Sequence, residues 1–127
     1  MVSEFEKKVA DEYNSRFIRY GAQPKSSLWF SEQRQILRFD QIIYCMKKNS
    51  VPYHFTVNDI GCGYGGLLKR LQSNFSSDRF SYAGFDLAKI PIAYCERNYA
   101  KKGAKFYSSG IPSELADYSV MSGTFNY

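Results

Sequence analysis

Apolar residues in the first twenty positions return at steps of three and four: Phe5, Val9, Tyr13, Phe17 and Tyr20. That spacing places one apolar stripe along a helix over residues 3–20. Gly21 ends it and Pro24 follows in the loop. A second helix starts near Ser27 or Ser31 and runs to about Asn49, with Ile36, Phe39, Ile43 and Met46 as its buried face. Asn49-Ser50-Val51-Pro52 is a turn signal that closes it. The period then changes. Residues 54–60, His-Phe-Thr-Val-Asn-Asp-Ile, are rich in β-branched and aromatic side chains and predict a strand. A glycine-rich stretch follows, then a helix over 67–72, a loop over 74–78 and a second strand over 80–86. Residues 88–102 predict a helix with Gly103 at its C′ position. Short strands are expected at 104–108 and 118–122.

Strands alternating with helices of this length predict an α/β fold built on a parallel sheet of about four strands. Two helices precede it, so residues 1–50 read as an N-terminal helical extension. Residues 51–127 read as the first part of a Rossmann-like domain. Doubly wound sheets usually continue to five or more strands, and this chain stops about five residues after the fourth. The expectation is therefore a truncated sheet, the N-terminal portion of a longer protein.

Composition narrows the class. The chain has 127 residues and is 44% hydrophobic and 17% aromatic, too rich in aromatics for a disordered chain. No apolar run approaches the ~18 residues that a membrane helix needs. The start, Met1-Val2-Ser3-Glu4-Phe5-Glu6-Lys7-Lys8, mixes charge with apolar residues and is not a secretory leader. Cys45, Cys62 and Cys95 are odd in number and far apart, with neither a disulfide framework nor a metal pair. Free thiols point to a reducing, cytoplasmic setting. The net charge of +5 is spread over scattered doublets such as Lys47-Lys48 and Lys69-Arg70, so a nucleic-acid partner is not implied.

The chemistry concentrates in Asp59-Ile60-Gly61-Cys62-Gly63-Tyr64-Gly65-Gly66. Glycines between a strand and a helix permit a tight turn and let backbone approach a ligand. Asp86 closes the second strand, where a carboxylate accepts hydrogen bonds from ribose hydroxyls. Two spellings coexist. Gly61, Gly63 and Gly66 give G-x-G-x-x-G, with Asp86 twenty positions after Gly66, the dinucleotide fingerprint. Asp59 with Gly61, Gly63 and Gly65 gives D-x-G-x-G-x-G. An acid beside the loop repels a pyrophosphate and attracts an ammonium group.

Here the sequence resembles the class I S-adenosylmethionine-dependent methyltransferases, over roughly residues 54–127. Asp59 to Gly65 is similar to that family's first motif, Tyr82-Ala83-Gly84-Phe85-Asp86-Leu87-Ala88 to its second-strand motif, and residues 117–126 to its fourth strand and the loop beyond. A helical pair ahead of the core is also usual there. The resemblance implies strand order 3-2-1-4 and S-adenosyl-L-methionine as cofactor. It implies roles as well. Gly61, Cys62, Gly63 and Gly65 would pass under the methionine part, and Asp59 would draw its amino group. Asp86 would hold the ribose hydroxyls and Leu87 would pack on adenine. Ser109 stands near the family's usual acidic adenine contact, although no Asp is present. Ser122 and Gly123 would line the methionine end. The reaction implied is methyl transfer by in-line displacement to an unidentified acceptor, in which the protein chiefly supplies proximity and orientation. No general base is evident, and no catalytic residue or metal ligand is assigned.

Two other functions stay open: a fragment of an NAD- or FAD-dependent oxidoreductase, and a non-catalytic interaction module, which an open sheet edge would suit. A clean dimer in solution with weak cofactor affinity would support the second, so a homo-oligomer is one partner the sequence allows. Cys62 lacks a paired His or a second Cys nearby in sequence and reads as a small residue fitting the loop rather than a nucleophile. His54 reads as an edge or core residue. Tyr20, Trp29 and Phe30 read as packing residues rather than a cover for the cofactor. Asn126 lacks the prolines that mark some amine methyltransferases.

Overall fold

The computed structural model describes residues 3–27, 31–49, 52–100 and 103–122. Trp29, Phe30, Gly123 and Asn126 lie outside them. The first helix, α1, spans Glu4–Tyr20. The Ser3 hydroxyl accepts the Glu6 N–H at 3.1 Å and caps its start. Gly21, at φ 71°, ends it by donating its N–H to the Phe17 carbonyl. None of its residues is fully buried, and Phe5, the first of the stripe, is 65% exposed. Val9, Tyr13 and Phe17 are half-buried. This helix lies on the outside of the molecule, with the Phe17 ring 5.4 Å from that of Tyr94.

A 3-10 turn, Pro24–Ser27, leads on, and α2 spans Glu32–Lys48. Ser31 decides between the two expected starts, because its hydroxyl accepts the Arg34 N–H at 3.2 Å. The buried face is Gln35, Phe39, Ile43 and Met46, so Gln35 takes the place expected for Ile36. The Tyr64 hydroxyl donates to the Gln35 Oε1 at 3.0 Å, and a satisfied amide tolerates burial.

The remaining elements are β1 (Phe55–Ile60), α3 (Gly66–Asn74), β2 (Phe80–Phe85), α4 (Lys89–Tyr99), β3 (Ala104–Tyr107) and β4 (Tyr118–Val120). The four strands form one all-parallel sheet in the order β3-β2-β1-β4. Alternate residues face one side of a strand, so Phe55, Val57 and Asp59 share a face with Phe80, Tyr82 and Gly84. That face carries the core, where Phe39, Leu67, Leu71, Ile92 and Cys95 pack against it. The opposite face bears the stretch between β3 and β4. Asn58 there donates its side-chain N–H to the Glu114 carbonyl at 2.8 Å.

Several element ends differ from the sequence expectation, among them that of β4, which stops at Val120 rather than 122. Helix α3 continues to Asn74 rather than stopping near 72. Helix α4 stops at Tyr99, short of 102, with Ala100 as its cap. Gly103 does not close it. Its φ is 83°, and its carbonyl accepts the Tyr82 N–H at 2.8 Å, which begins the β3 ladder. Among the described residues no helix is long and apolar enough to cross a membrane.

Candidate functional site

The site is built where β1 ends. Gly61 and Gly63 take φ of 76° and 56°, left-handed values that cost side-chain-bearing residues. These turns fold the chain back, so the N–H groups of Gly61 and Cys62 both donate to the Phe85 carbonyl, at 2.7 and 3.1 Å. The loop is thereby tied to the end of β2 and arrives beside Asp86. The Gly63 N–H donates to Asp86 Oδ2 at 2.8 Å, and the Ala88 N–H to its Oδ1 at 2.9 Å. Asp86 thus orients the turn and the entry of α4 at once. Each carboxylate oxygen accepts more than one hydrogen bond, so capacity for ligand hydroxyls is left. Burial pushes its carboxyl above the usual range, and the backbone N–H groups of Ala88, Gly63 and Leu87 oppose that.

Asp59 differs. It is 1% exposed. Its Oδ2 accepts the Tyr82 hydroxyl at 2.6 Å, and its Oδ1 has no protein partner. Burial raises its carboxyl to about 7, with Tyr82 pulling down and the charge of Asp86 pushing up. A buried acid with one unsatisfied oxygen is suited to a cation or hydrogen-bond donor.

One cleft gathers most of the residues singled out by sequence: Asp59, Gly61, Cys62, Gly63, Asp86, Leu87 and Ser122 line it. Gly65 and Ser109 are not in its wall. Gly65, at φ 90°, is the cap of α3, and a Cβ there would meet the Tyr99 ring at 3.0 Å, away from the cleft. The Ser109 hydroxyl turns to its own loop, between the N–H and carbonyl of Ile111. Its neighbour Gly110 lines the cleft instead, against Leu87.

Cys62 is buried, its Sγ in the space that Gly84 leaves free. A Cβ on Gly84 would stand 2.9 Å from it. Contact with Cys95 and burial push the Cys62 thiol well above its ordinary range. A protonated thiol suits a space-filling role, not a nucleophile. His54 is exposed at the mouth of β1, its ring nitrogens 2.9 Å from the Asp78 carbonyl and 2.8 Å from Ser81 Oγ. Tyr20 lies outside the cleft, with the cations of Arg16, Arg19 and Lys25 within 6 Å of its ring.

Sequence reasoning missed the far wall. Val9 and Tyr13 of α1, Ser26, and Gln35 and Phe39 of α2 close the cleft opposite the glycine turn. The helical stripe marked Val9, Tyr13 and Phe39 as apolar, and only packing shows that they line the cleft. Tyr82 was also missed as the partner of Asp59, because the two stand 23 positions apart.

Chemically, the cleft fits a ligand with a cationic group near Asp59 and hydroxyls near Asp86. A phosphate fits poorly, because an anion already holds the Gly63 N–H and a second buried acid stands close by.

The parallel order β3-β2-β1-β4, with a glycine turn after the central strand, defines a Rossmann-like fold that solved structures similar to this chain share. The resemblance holds in sequence as well as in fold. A Mycobacterium tuberculosis protein with a provisional methyltransferase name, Rv1506c, is 39% identical over 74 residues, 57% of this chain and 43% of that protein. Among solved structures, the cyclopropane synthase MmaA2 from Mycobacterium tuberculosis superposes with a TM-score of 0.68 at 20% identity, over 95% of this chain and 46% of that one. The mycolic acid cyclopropane synthase CmaA1, solved in complex with SAH and CTAB, gives 0.59 at 17% identity, over 95% and 46%. No family model matches the chain. The chain spans less than half the length of each of these three relatives.

Proposed function

We propose that the cleft binds S-adenosylmethionine and that the chain supplies the cofactor-binding part of a methyltransferase. The observation that carries this reading is the pair of acids in one wall. Asp59 offers an unsatisfied buried oxygen and Asp86 an oriented carboxylate, with the Gly61–Gly63 turn between them. In this reading Asp59 holds the cofactor's ammonium group and Asp86 its ribose hydroxyls. Leu87 and Gly110 bound the adenine, and Ser122 stands at the methionine end. The cofactor supplies an activated methyl group when bound, and the protein's contribution is orientation and exclusion of water. Val9, Tyr13 and Phe39 supply the apolar cover on the side of α1 and α2.

Residues 1–50 then serve as a helical extension and 51–127 as the first part of the catalytic domain. An acceptor pocket completed by further C-terminal sequence agrees with the share of the relatives' length that the chain spans. Three free thiols, two of them buried, agree with a cytoplasmic setting.

Calorimetric titration with S-adenosylhomocysteine, with NAD alongside, tests the reading. Binding of the first and not the second is expected. Preference for NAD would replace the reading with the oxidoreductase one. A folded chain that binds neither would leave the glycine loop as a turn only.

A further inference from the structure

The geometry points to Tyr82 as a positioning residue that acts through Asp59: its hydroxyl anchors one carboxylate oxygen, leaves the other without a protein partner in the cleft wall, and couples uptake of a cationic ligand group to release of a proton from Asp59. This rests on the reading that the cleft takes S-adenosylmethionine.

Tyr82 is 2% exposed and sits among core residues, with the Phe106 ring 5.7 Å away. A phenylalanine would fill that position equally well. Burying a phenol costs free energy unless its hydroxyl is paired, and the hydroxyl is paired with Asp59 Oδ2 at 2.6 Å. The register explains the reach. Tyr82 stands opposite Val57, and Gly84 stands opposite Asp59. With no side chain on Gly84, the Tyr82 ring leans along the sheet face toward the acid. A Cβ at Gly84 would come within 3.1 Å of that ring. One oxygen of Asp59 is therefore fixed from the sheet side, while Oδ1 is buried without a protein partner in a residue that lines the cleft.

The titratable surroundings of Asp59 are few. Tyr82 reaches it from β2, Asp86 stands at the end of that strand, Cys62 comes from the turn, and Cys95 lies behind it on α4. Val120, its β4 neighbour, is apolar. Burial and the charge of Asp86 oppose ionisation, and both the Cys62 thiol and the Tyr82 phenol are held protonated. The Tyr82 hydroxyl is the neighbour that favours the carboxylate. A cation at Oδ1 needs that carboxylate, so below the midpoint near 7 the Asp59 proton must leave to solvent as the ligand binds.

The test measures binding of S-adenosylhomocysteine and of 5′-methylthioadenosine between pH 5.5 and 9, for the wild-type chain, Tyr82→Phe and Asp59→Asn. The nucleoside keeps adenine and ribose and lacks the amino group, so any acid limb due to Asp86 persists with it and one due to Asp59 does not. For wild type, affinity for S-adenosylhomocysteine should fall about tenfold per pH unit on the acid side of the midpoint. Tyr82→Phe should move that limb to higher pH, with severalfold weaker binding at pH 7 and affinity within about twofold of wild type at pH 9. Asp59→Asn should abolish the limb. Binding of 5′-methylthioadenosine should be alike in all three.

An unmoved acid limb in Tyr82→Phe, or a loss equal at every pH, would overturn the inference while leaving the cofactor reading intact. Failure of both ligands to bind folded wild type at any pH would remove the cofactor reading, and the inference with it. If Tyr82→Phe does not fold, proton release by wild type decides, measured calorimetrically in two buffers of different ionisation enthalpy. Close to one proton released per S-adenosylhomocysteine at pH 6 is expected, and none released would overturn the inference.

Discussion

Gly63 and Asp86 stand 23 positions apart, and the backbone N–H of the first donates to Oδ2 of the second at 2.8 Å. One carboxylate thereby holds the glycine turn, and through the Ala88 N–H it also holds the start of α4. Helix α4 has no side-chain cap at Ala88 itself, so Asp86 performs that work from two residues upstream. Replacing Asp86 by Ala is expected to weaken binding of S-adenosylhomocysteine by ~1–3 kcal/mol, since ribose hydroxyls lose a charged acceptor and the turn its anchor. Calorimetry checks the affinity, and circular dichroism checks that the fold survives. Unchanged affinity would remove the ribose role.

Asp59 makes stability depend on pH in a defined direction. Its folded carboxyl is raised to about 7, above the ordinary value of 3.8. A raised acid gives stability that is complete below the unfolded value and lost as pH rises through the folded one. Urea unfolding of the free chain should therefore show stability falling between about pH 4 and 7. Asp59→Asn should flatten much of that fall and leave the free protein more stable at pH 8, by roughly 2–4 kcal/mol. The same variant should bind S-adenosylhomocysteine more weakly. Gain in stability with loss of binding is the signature of a buried acid kept for a ligand.

Gly84 is a packing requirement. A Cβ there would lie 2.9 Å from both Cys62 Sγ and Phe106 Cδ1. Overpacking of this kind costs ~1–3 kcal/mol, so Gly84→Ala should lower the unfolding midpoint. The displaced Cys62 belongs to the glycine turn, so ligand affinity should fall in the same variant. A fully stable Gly84→Ala protein would show that the sheet face yields more than these distances allow.

Asn14 joins the outer helix to the site. Its Oδ1 accepts the Ile90 N–H in the first turn of α4 at 2.9 Å, across 76 positions. Helix α1 has no fully buried residue, and this bond and the Phe17–Tyr94 ring pair tie it to α4. Asn14→Ala removes a helix cap worth ~1 kcal/mol. Hydrogen exchange in α1 should speed up, while that of the buried strand β1 stays close to wild type.

Much of the fold was legible in the sequence because its signals are local. The change from helical to strand spacing near position 54 comes from side-chain periodicity alone. Gly21 and Ser31 mark helix ends because a cap acts within a few residues. The Asp59–Gly65 pattern and Asp86 were visible for the same reason: a tight strand–helix turn demands glycine, and a strand end can carry an acid. Where local signals compete, reading them failed. Gly103 looks like a helix terminator, yet its carbonyl pairs with Tyr82 of a neighbouring strand. Gln35 looks exposed, yet Tyr64 satisfies its amide inside the core. Both outcomes depend on partners far away in the chain.

By itself, then, the sequence determined the α/β alternation, the glycine turn and the two acids, since each follows from the chemistry of a short segment. Tertiary structure decided which side chains meet in the cleft. It brought Val9 and Tyr13 from α1 to face the turn, put Gly110 in the wall where Ser109 was expected, and set the Tyr82 hydroxyl against Asp59. Those meetings depend on strand register and on how helices pack over the sheet. Register and packing are settled by the summed burial of the whole core, which no short segment encodes.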